Sequence, residues 1–168
     1  MSEVKWHTIT EMLAYHAEHN SDRVMGRFFE KELCVETLTY AETWALALRW
    51  AALLRDYGVG PGVPVIMALP NTSDFIGAYF GTLVVGGIPA PAAPFRRIDA
   101  EDAYLHTIAE RVEFIRAGVV VVPVDQAELA QTPPFNTLDV VVLTSADLPV
   151  SGGPSLARAG STQRLPPG

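Results

Sequence analysis

Apolar side chains in this chain recur at helical spacing in some stretches and run almost unbroken in others, with short turn signals between them. Thr8-Ile9-Thr10-Glu11 has the spacing of a capping box, in which hydroxyl and carboxylate each satisfy an orphan amide. It predicts a helix over residues 9–19 with Ile9, Met12, Leu13 and His16 on one face. Val24–Phe29 and Leu33–Leu38 read as short strands around the charged turn Glu30-Lys31-Glu32. Thr39-Tyr40-Ala41-Glu42 repeats the capping box. Behind it Trp44, Leu46, Ala47, Leu48, Trp50, Ala51, Leu53 and Leu54 form a wide apolar stripe, with Glu42, Arg49, Arg55 and Asp56 on the polar side. Gly58 stands where a left-handed residue ends such a helix.

Past the turn Gly60-Pro61-Gly62, the run Val63–Leu69 predicts a strand covered on both faces, with Pro64 arguing against pairing on both sides at its start. Asn71 or Ser73 is expected to cap the next helix, which Gly86-Gly87 stops, and Ile88–Pro91 makes a short strand. Gly77 and Gly81 are expected to let that helix approach the sheet closely. Ala92–Ala100 reads as a loop, and Asp99 or Asp102 as the cap of a helix reaching about Ala117, stopped by Gly118. Val119–Val124 is a further buried strand, Asp125–Ala130 one or two helical turns, Thr132-Pro133-Pro134 a linker and Leu138–Leu143 another strand. This alternation predicts an α/β fold, an open and mostly parallel sheet flanked by helices. The α/β unit occupies residues 1–143, and 144–168, rich in Pro, Gly and Ser, reads as a loosely ordered tail.

Composition narrows the function classes. With 49% apolar and 18% charged residues, the chain is an ordinary globular one rather than a disordered segment. A net charge of −7 argues against a nucleic-acid partner, because phosphate binding needs a basic face. The single cysteine, Cys34, excludes an internal disulfide and favours the reducing cytoplasm. MSEVKWHTIT carries no apolar core of a secretory signal. Phe75–Phe95 is uncharged, but Gly86, Gly87, Pro89 and Pro91 interrupt it, so a soluble buried helix running into a strand is expected and no membrane partner.

Side chains with chemical potential are scattered. Gly58–Gly62 precedes a strand, whereas a phosphate cradle needs glycines after one, opening a helix. His16 and His19 could meet a metal from one helix turn, yet His7, His16, His19 and His106 lack partnering cysteines or carboxylates at ligand spacing. Surface histidines and no metal site are expected. Cys34 sits among acidic residues that would not activate its thiol. Ser145, Ser151, Ser155 and Ser161 lack a nucleophile-elbow pattern, and no catalytic residue is assigned. Arg96 and Arg97, in a loop after a parallel strand, are the candidates for contact with a phosphate, including that of a pantetheine carrier; pairing with Asp99, Glu101 and Asp102 is the simpler alternative.

Leu38-Thr39-Tyr40-Ala41-Glu42, the GVGPG turn before VIMALPN, and Leu83–Pro91 with its glycine–proline corner together resemble the adenylate-forming superfamily. Its members include acyl-CoA synthetases, fatty acyl-AMP ligases and the adenylation domains of peptide synthetases. The resemblance covers about Thr8 to Leu143, and IPAPAAPFRR is more similar to the acyl-AMP ligase branch than to the amino-acid-activating one. It implies the N-terminal subdomain of an enzyme that makes acyl adenylates from a carboxylate and ATP with Mg2+, then passes the acyl group to coenzyme A or a carrier-protein thiol. The superfamily's TSGTTGxPKG-type loop, its ribose-binding aspartate and its C-terminal lysine have no counterpart here.

The expectation is therefore an N-terminal fragment that needs the remaining portion of the ligase as partner, binds no cofactor alone and is inactive alone. It should self-associate through apolar surface left uncovered. A non-catalytic module that docks an acyl carrier protein or complements a separate C-terminal half is the alternative. A flavodoxin-like nucleotide binder also fits the alternation, without a phosphate loop.

Overall fold

The computed structural model describes residues 6–94 and 101–149. Helix α1 (Ile9–His19) leads into strands β1 (Val24–Glu30) and β2 (Leu33–Thr39), followed by α2 (Tyr40–Asp56) and β3 (Pro64–Met67). Then come α3 (Ser73–Val84), β4 (Ile88–Pro91), α4 (Glu101–Ile115), β5 (Val119–Val121) and β6 (Val141–Leu143). Short 3₁₀ segments occupy Val124–Gln131, Phe135–Thr137 and Ser145–Asp147.

β3 to β6 form a parallel sheet in the order β4-β3-β5-β6, and β1 and β2 pair separately as an antiparallel hairpin. The α/β class with a parallel sheet and flanking helices is thus as expected. The two-residue strand period sorts the core into two layers. Val65, Met67, Val119 and Val121 point to one side, with Trp50, Leu53 and Leu54 of α2 and Ala78 of α3. Ile66, Ala68, Val120 and Val122 point to the other, with Leu105, Ile108 and Val112 of α4 and with Phe135. A third cluster joins Leu13 of α1 to Ala47 and Phe80.

Several boundaries move, each for a local reason. β3 begins at Pro64, which pairs only with Ile88; pairing with β5 starts at Val65, so the missing amide costs no central bond. β5 stops at Val121 and Val124 already opens a 3₁₀ segment, because Pro123 has no amide to continue the ladder. β6 is shorter than Leu138–Leu143 because the Leu138 amide donates to Phe135 O and closes a turn. The cap of α3 is Thr72, extended at φ −125 and ψ 175, and neither Asn71 nor Ser73. Asp102 lies inside α4 and is not its cap; Asp99 lies outside the described residues. α4 ends before Ala117 because Arg116 turns left-handed, with φ 54. On α1 Ile9 is 48% exposed, so Leu13 alone is buried on the expected face.

Gly77 and Gly81 act on a different neighbour than expected. A Cβ on Gly81 would stand 2.9 Å from Ala47 O and 3.0 Å from Ala51 N, and one on Gly77 would stand 2.6 Å from Trp50 Cδ1. They let α3 approach α2, not the sheet. Along β4 the Ile88 and Ala92 amides donate to Val63 and Met67 of the β3 stretch, so Pro89 and Pro91 occupy the intervening positions, which face away.

Both capping boxes form. At α2 the Thr39 amide donates to Glu42 Oε2 at 2.8 Å and the Glu42 amide to Thr39 Oγ1 at 3.2 Å. The Thr39 backbone bond, then its hydroxyl bond, hold the Glu42 carboxyl below its usual range. Because the folded state favours the carboxylate, this stabilisation is complete above the unfolded pKa and is lost as pH falls through the lowered one. Glu42→Gln is expected to lower the unfolding midpoint at pH 6 slightly and to leave that at pH 3 unchanged, so that the acid limb between them is flattened.

Thr144–Pro149, grouped with the loose tail by composition, closes the core instead. Leu148 is 9% exposed beside Trp50 and Leu53, and Arg49 Nε donates to Pro149 O at 3.2 Å.

Candidate functional site at the carboxyl edge of the sheet

In a doubly wound sheet, ligands bind where neighbouring strands send their connections to opposite sides. Here β3 leads through α3 to β4 on one flank, while β5 leads to β6 on the other. The switch therefore lies between the carboxyl ends of β3 and β5, lined by residues 68–72 and 122–124. Ala68, Leu69 and Val122 are buried there, and Pro70 and Asn71 are exposed.

Three local structures shape this edge. Thr72 leads into α3 without a side-chain cap bond, its hydroxyl donating to Pro70 O at 3.4 Å. Beyond β4, Tyr104 Oη donates to Ala93 O at 3.1 Å, tying the outgoing loop to α4. Beyond β6, Thr144 and Asp147 make a third capping box, unmarked by any apolar run. The Thr144 amide and hydroxyl donate to Asp147 Oδ2 at 2.9 and 3.0 Å, and the Ala146 amide donates to Thr144 Oγ1 at 3.2 Å. An aspartate carboxylate thus already takes the donors that a phosphate would need, so this turn is unsuited to cradling an anion.

Arg96 and Arg97 lie outside the described residues, as do Ser151, Ser155 and Ser161. Ser145 opens the 3₁₀ turn after β6. Gly58–Gly62 precedes β3, at the amino edge, with Gly58 and Gly62 at φ 81 and 79. Cys34 is exposed in the hairpin, its thiol 3.5 Å from Glu36 O.

The histidines do not converge. His16 sits in an aromatic cluster, its ring 5.5 Å from Trp6 and 4.9 Å from Tyr40, with Nδ1 2.9 Å from Asn20 Nδ2. His19 stacks on Tyr15 at 4.0 Å, and its Nδ1 lies 2.9 Å from Tyr15 O. Sequence reading placed His16 on the apolar face of α1 but missed the ring cluster, because Trp6 and Tyr40 lie far apart along the chain. His7 and His106 are exposed. Among the described residues no three His, Cys, Asp or Glu side chains gather around a common point. No helix among them is long and apolar enough to cross a membrane.

A family model described as AMP-binding enzyme matches residues 14–165. Over 58 residues the chain is 43% identical to syringomycin synthase SyrB1 of Pseudomonas syringae pv. syringae, covering 34% of this chain and 9% of that protein. Over 59 residues it is 41% identical to 4-coumarate–CoA ligase 2 of Oryza sativa subsp. japonica, covering 35% and 10%. The fold is similar to that of a fatty acyl-adenylate ligase from L. pneumophila, solved with acyl adenylate and pyrophosphate. The TM-score is 0.74 at 24% identity, over 86% of this chain and 24% of the other.

Proposed function

The chain belongs to the AMP-binding enzyme family, and from that premise we propose that it is the N-terminal portion of an acyl-activating ligase. The parent enzyme joins a carboxylate to ATP, releases pyrophosphate, and passes the acyl group from the adenylate to a thiol of coenzyme A or an acyl carrier protein. The observation that carries this proposal is the family match from residue 14 to 165 on a sheet of the matching fold. The chain spans 24% of the solved ligase and about a tenth of the curated relatives. ATP and Mg2+ belong to the parent, and Arg96 and Arg97 remain its proposed phosphate or pantetheine contacts. Cytoplasmic placement suits the free, exposed thiol of Cys34.

This portion alone is inactive on this proposal, because acyl adenylation needs two bound substrates aligned while charge builds at the α-phosphate. The Thr144 turn offers no cradle for that charge, its donors being held by Asp147. Carboxylate-dependent exchange of pyrophosphate into ATP is expected to match a heat-killed control for the 168-residue chain and to exceed it at least a hundredfold for the parent. Exchange by the short chain overturns inactivity, and silence of the parent with a broad panel of carboxylates overturns the ligase assignment. A second role, as a non-catalytic module docking a carrier protein or a separately encoded C-terminal half, is favoured by the exposed apolar hairpin. Co-purification of such a half with this chain tests it.

A further inference from the structure

The Val122 amide donates to Leu143 O at 2.9 Å and closes the β5–β6 ladder. Thr144 is extended, at φ −134 and ψ 171, and from it the chain turns through Ser145–Asp147 to Leu148 and Pro149. That turn is bonded to itself. Besides the Thr144–Asp147 box, the Asp147 amide donates to Thr144 O at 3.2 Å and the Leu148 amide to Ser145 O at 3.3 Å. Ala146 and Asp147 are exposed, and among the described residues no helix or strand packs broadly on Ser145–Asp147. Two attachments join the segment to α2. Leu148 shares a buried cluster with Trp50 and Leu53, and Arg49 Nε holds Pro149 O. The Arg49 bond spans 100 positions, whereas the next longest side-chain hydrogen bond between described residues, Tyr104 to Ala93, spans 11.

A piece that is stiff within itself, and tied outside itself by one side chain and one bond, opens more readily than a sheet of three ladders. We infer that residues 144–149 are a hinged strap, pivoting at Thr144 and swinging away from α2 as a unit while β3–β6 stay folded. Leu148 is its plug and Arg49 its latch. The two act differently. Burial of Leu148 supplies hold without direction, whereas the directed Arg49 bond fixes the line along which the chain leaves the sheet at Pro149. Opening redirects that outgoing chain and uncovers the side of α2 that Leu148 covers. The strap does not depend on the ligase reading, since every contact in it lies within the described residues.

The test is the rate of thiol labelling under native conditions in a Cys34→Ser background, which removes the chain's own cysteine. Leu148→Cys puts a thiol in the plug, and Val120→Cys puts one in the middle of the sheet, at a position 0% exposed. Val65→Cys, also at a 0% exposed position, serves if the Val120 variant does not fold. The thiol at position 148 is expected to label at least about a hundredfold faster than the one in the sheet, because only the strap need open to reach it. Arg49→Met keeps the side-chain stem and removes its donors. It should speed labelling at 148 about fivefold, the worth of one hydrogen bond, and leave the sheet position unchanged. Arg49→Lys, with a donor restored, should reverse most of that gain. The shorter side chain at 148 weakens the plug alike in all three backgrounds, so the Arg49 comparison is internal. Equal labelling at 148 and in the sheet overturns the inference, since the strap then opens only when the sheet does. Acceleration by Arg49→Met at both positions, or at neither, overturns Arg49 as the latch.

Discussion

Gly81→Ala is expected to lower the unfolding free energy of this chain by about 2 kcal/mol, seen as a drop of roughly 4–8 °C in the thermal midpoint. The added methyl meets Ala47 O and Ala51 N, which are backbone atoms of α2 and cannot rotate aside, and also Trp50 Cβ at 2.5 Å. Overpacking of this kind costs about 3 kcal/mol, against which alanine returns roughly 1 kcal/mol of helix propensity. Gly77→Ala should cost less, since its methyl meets side-chain atoms of Leu46 and Trp50 that can shift. Gly60→Ala is the control: nothing lies within 4 Å of its Cβ position, and a change within about 0.5 kcal/mol is expected. Equal midpoints for the Gly81 and Gly60 variants would show that α3 does not sit against α2 at this distance.

Phe135→Ala is expected to cost about 3 kcal/mol in chemical denaturation, the usual loss for an aromatic ring removed from a packed core. Phe135 is 3% exposed and lies with Ile66, Val120 and Leu105 in the layer beneath α4. Phe114→Ala makes the comparison decisive. That ring is 89% exposed on α4, and its loss should change stability by no more than about 0.5 kcal/mol. A Phe135 variant as stable as the Phe114 variant would place residues 135–137 off the core.

These two residues mark where the sequence was legible and where it was not. The helices α1 and α2 and the buried strands announce themselves through capping boxes and period, and both signals are local. The parallel sheet follows from their alternation. Phe135, by contrast, is one apolar residue among Pro133, Pro134, Asn136 and Thr137, without period, and only tertiary placement puts it under α4. Leu148 is the same case: its burial depends on Trp50, nearly a hundred residues away in the chain. Gly77 and Gly81 were legible as a close-approach pair, but spacing on one helix cannot say which surface approaches. The carboxyl edge was legible as a location because Arg96 and Arg97 follow a strand read as parallel. Its chemistry was not, because the donors of Thr144 are claimed by Asp147 in a single 3₁₀ turn with no helical period behind it to announce the pairing.

The alternation of Pro89 and Pro91 with Ile88, Ala90 and Ala92 has a consequence for the company this sheet can keep. The flank beyond β4 has no amide at the two positions where a stray strand would seek one, so it offers such a strand only carbonyl acceptors and a weakened ladder. At β6 the Val141 amide already binds Gly118 O, which leaves that of Val142 facing outward. Lateral recruitment, whether by a legitimate neighbour or by a misfolded one at the ribosome, is thereby biased toward the β6 side.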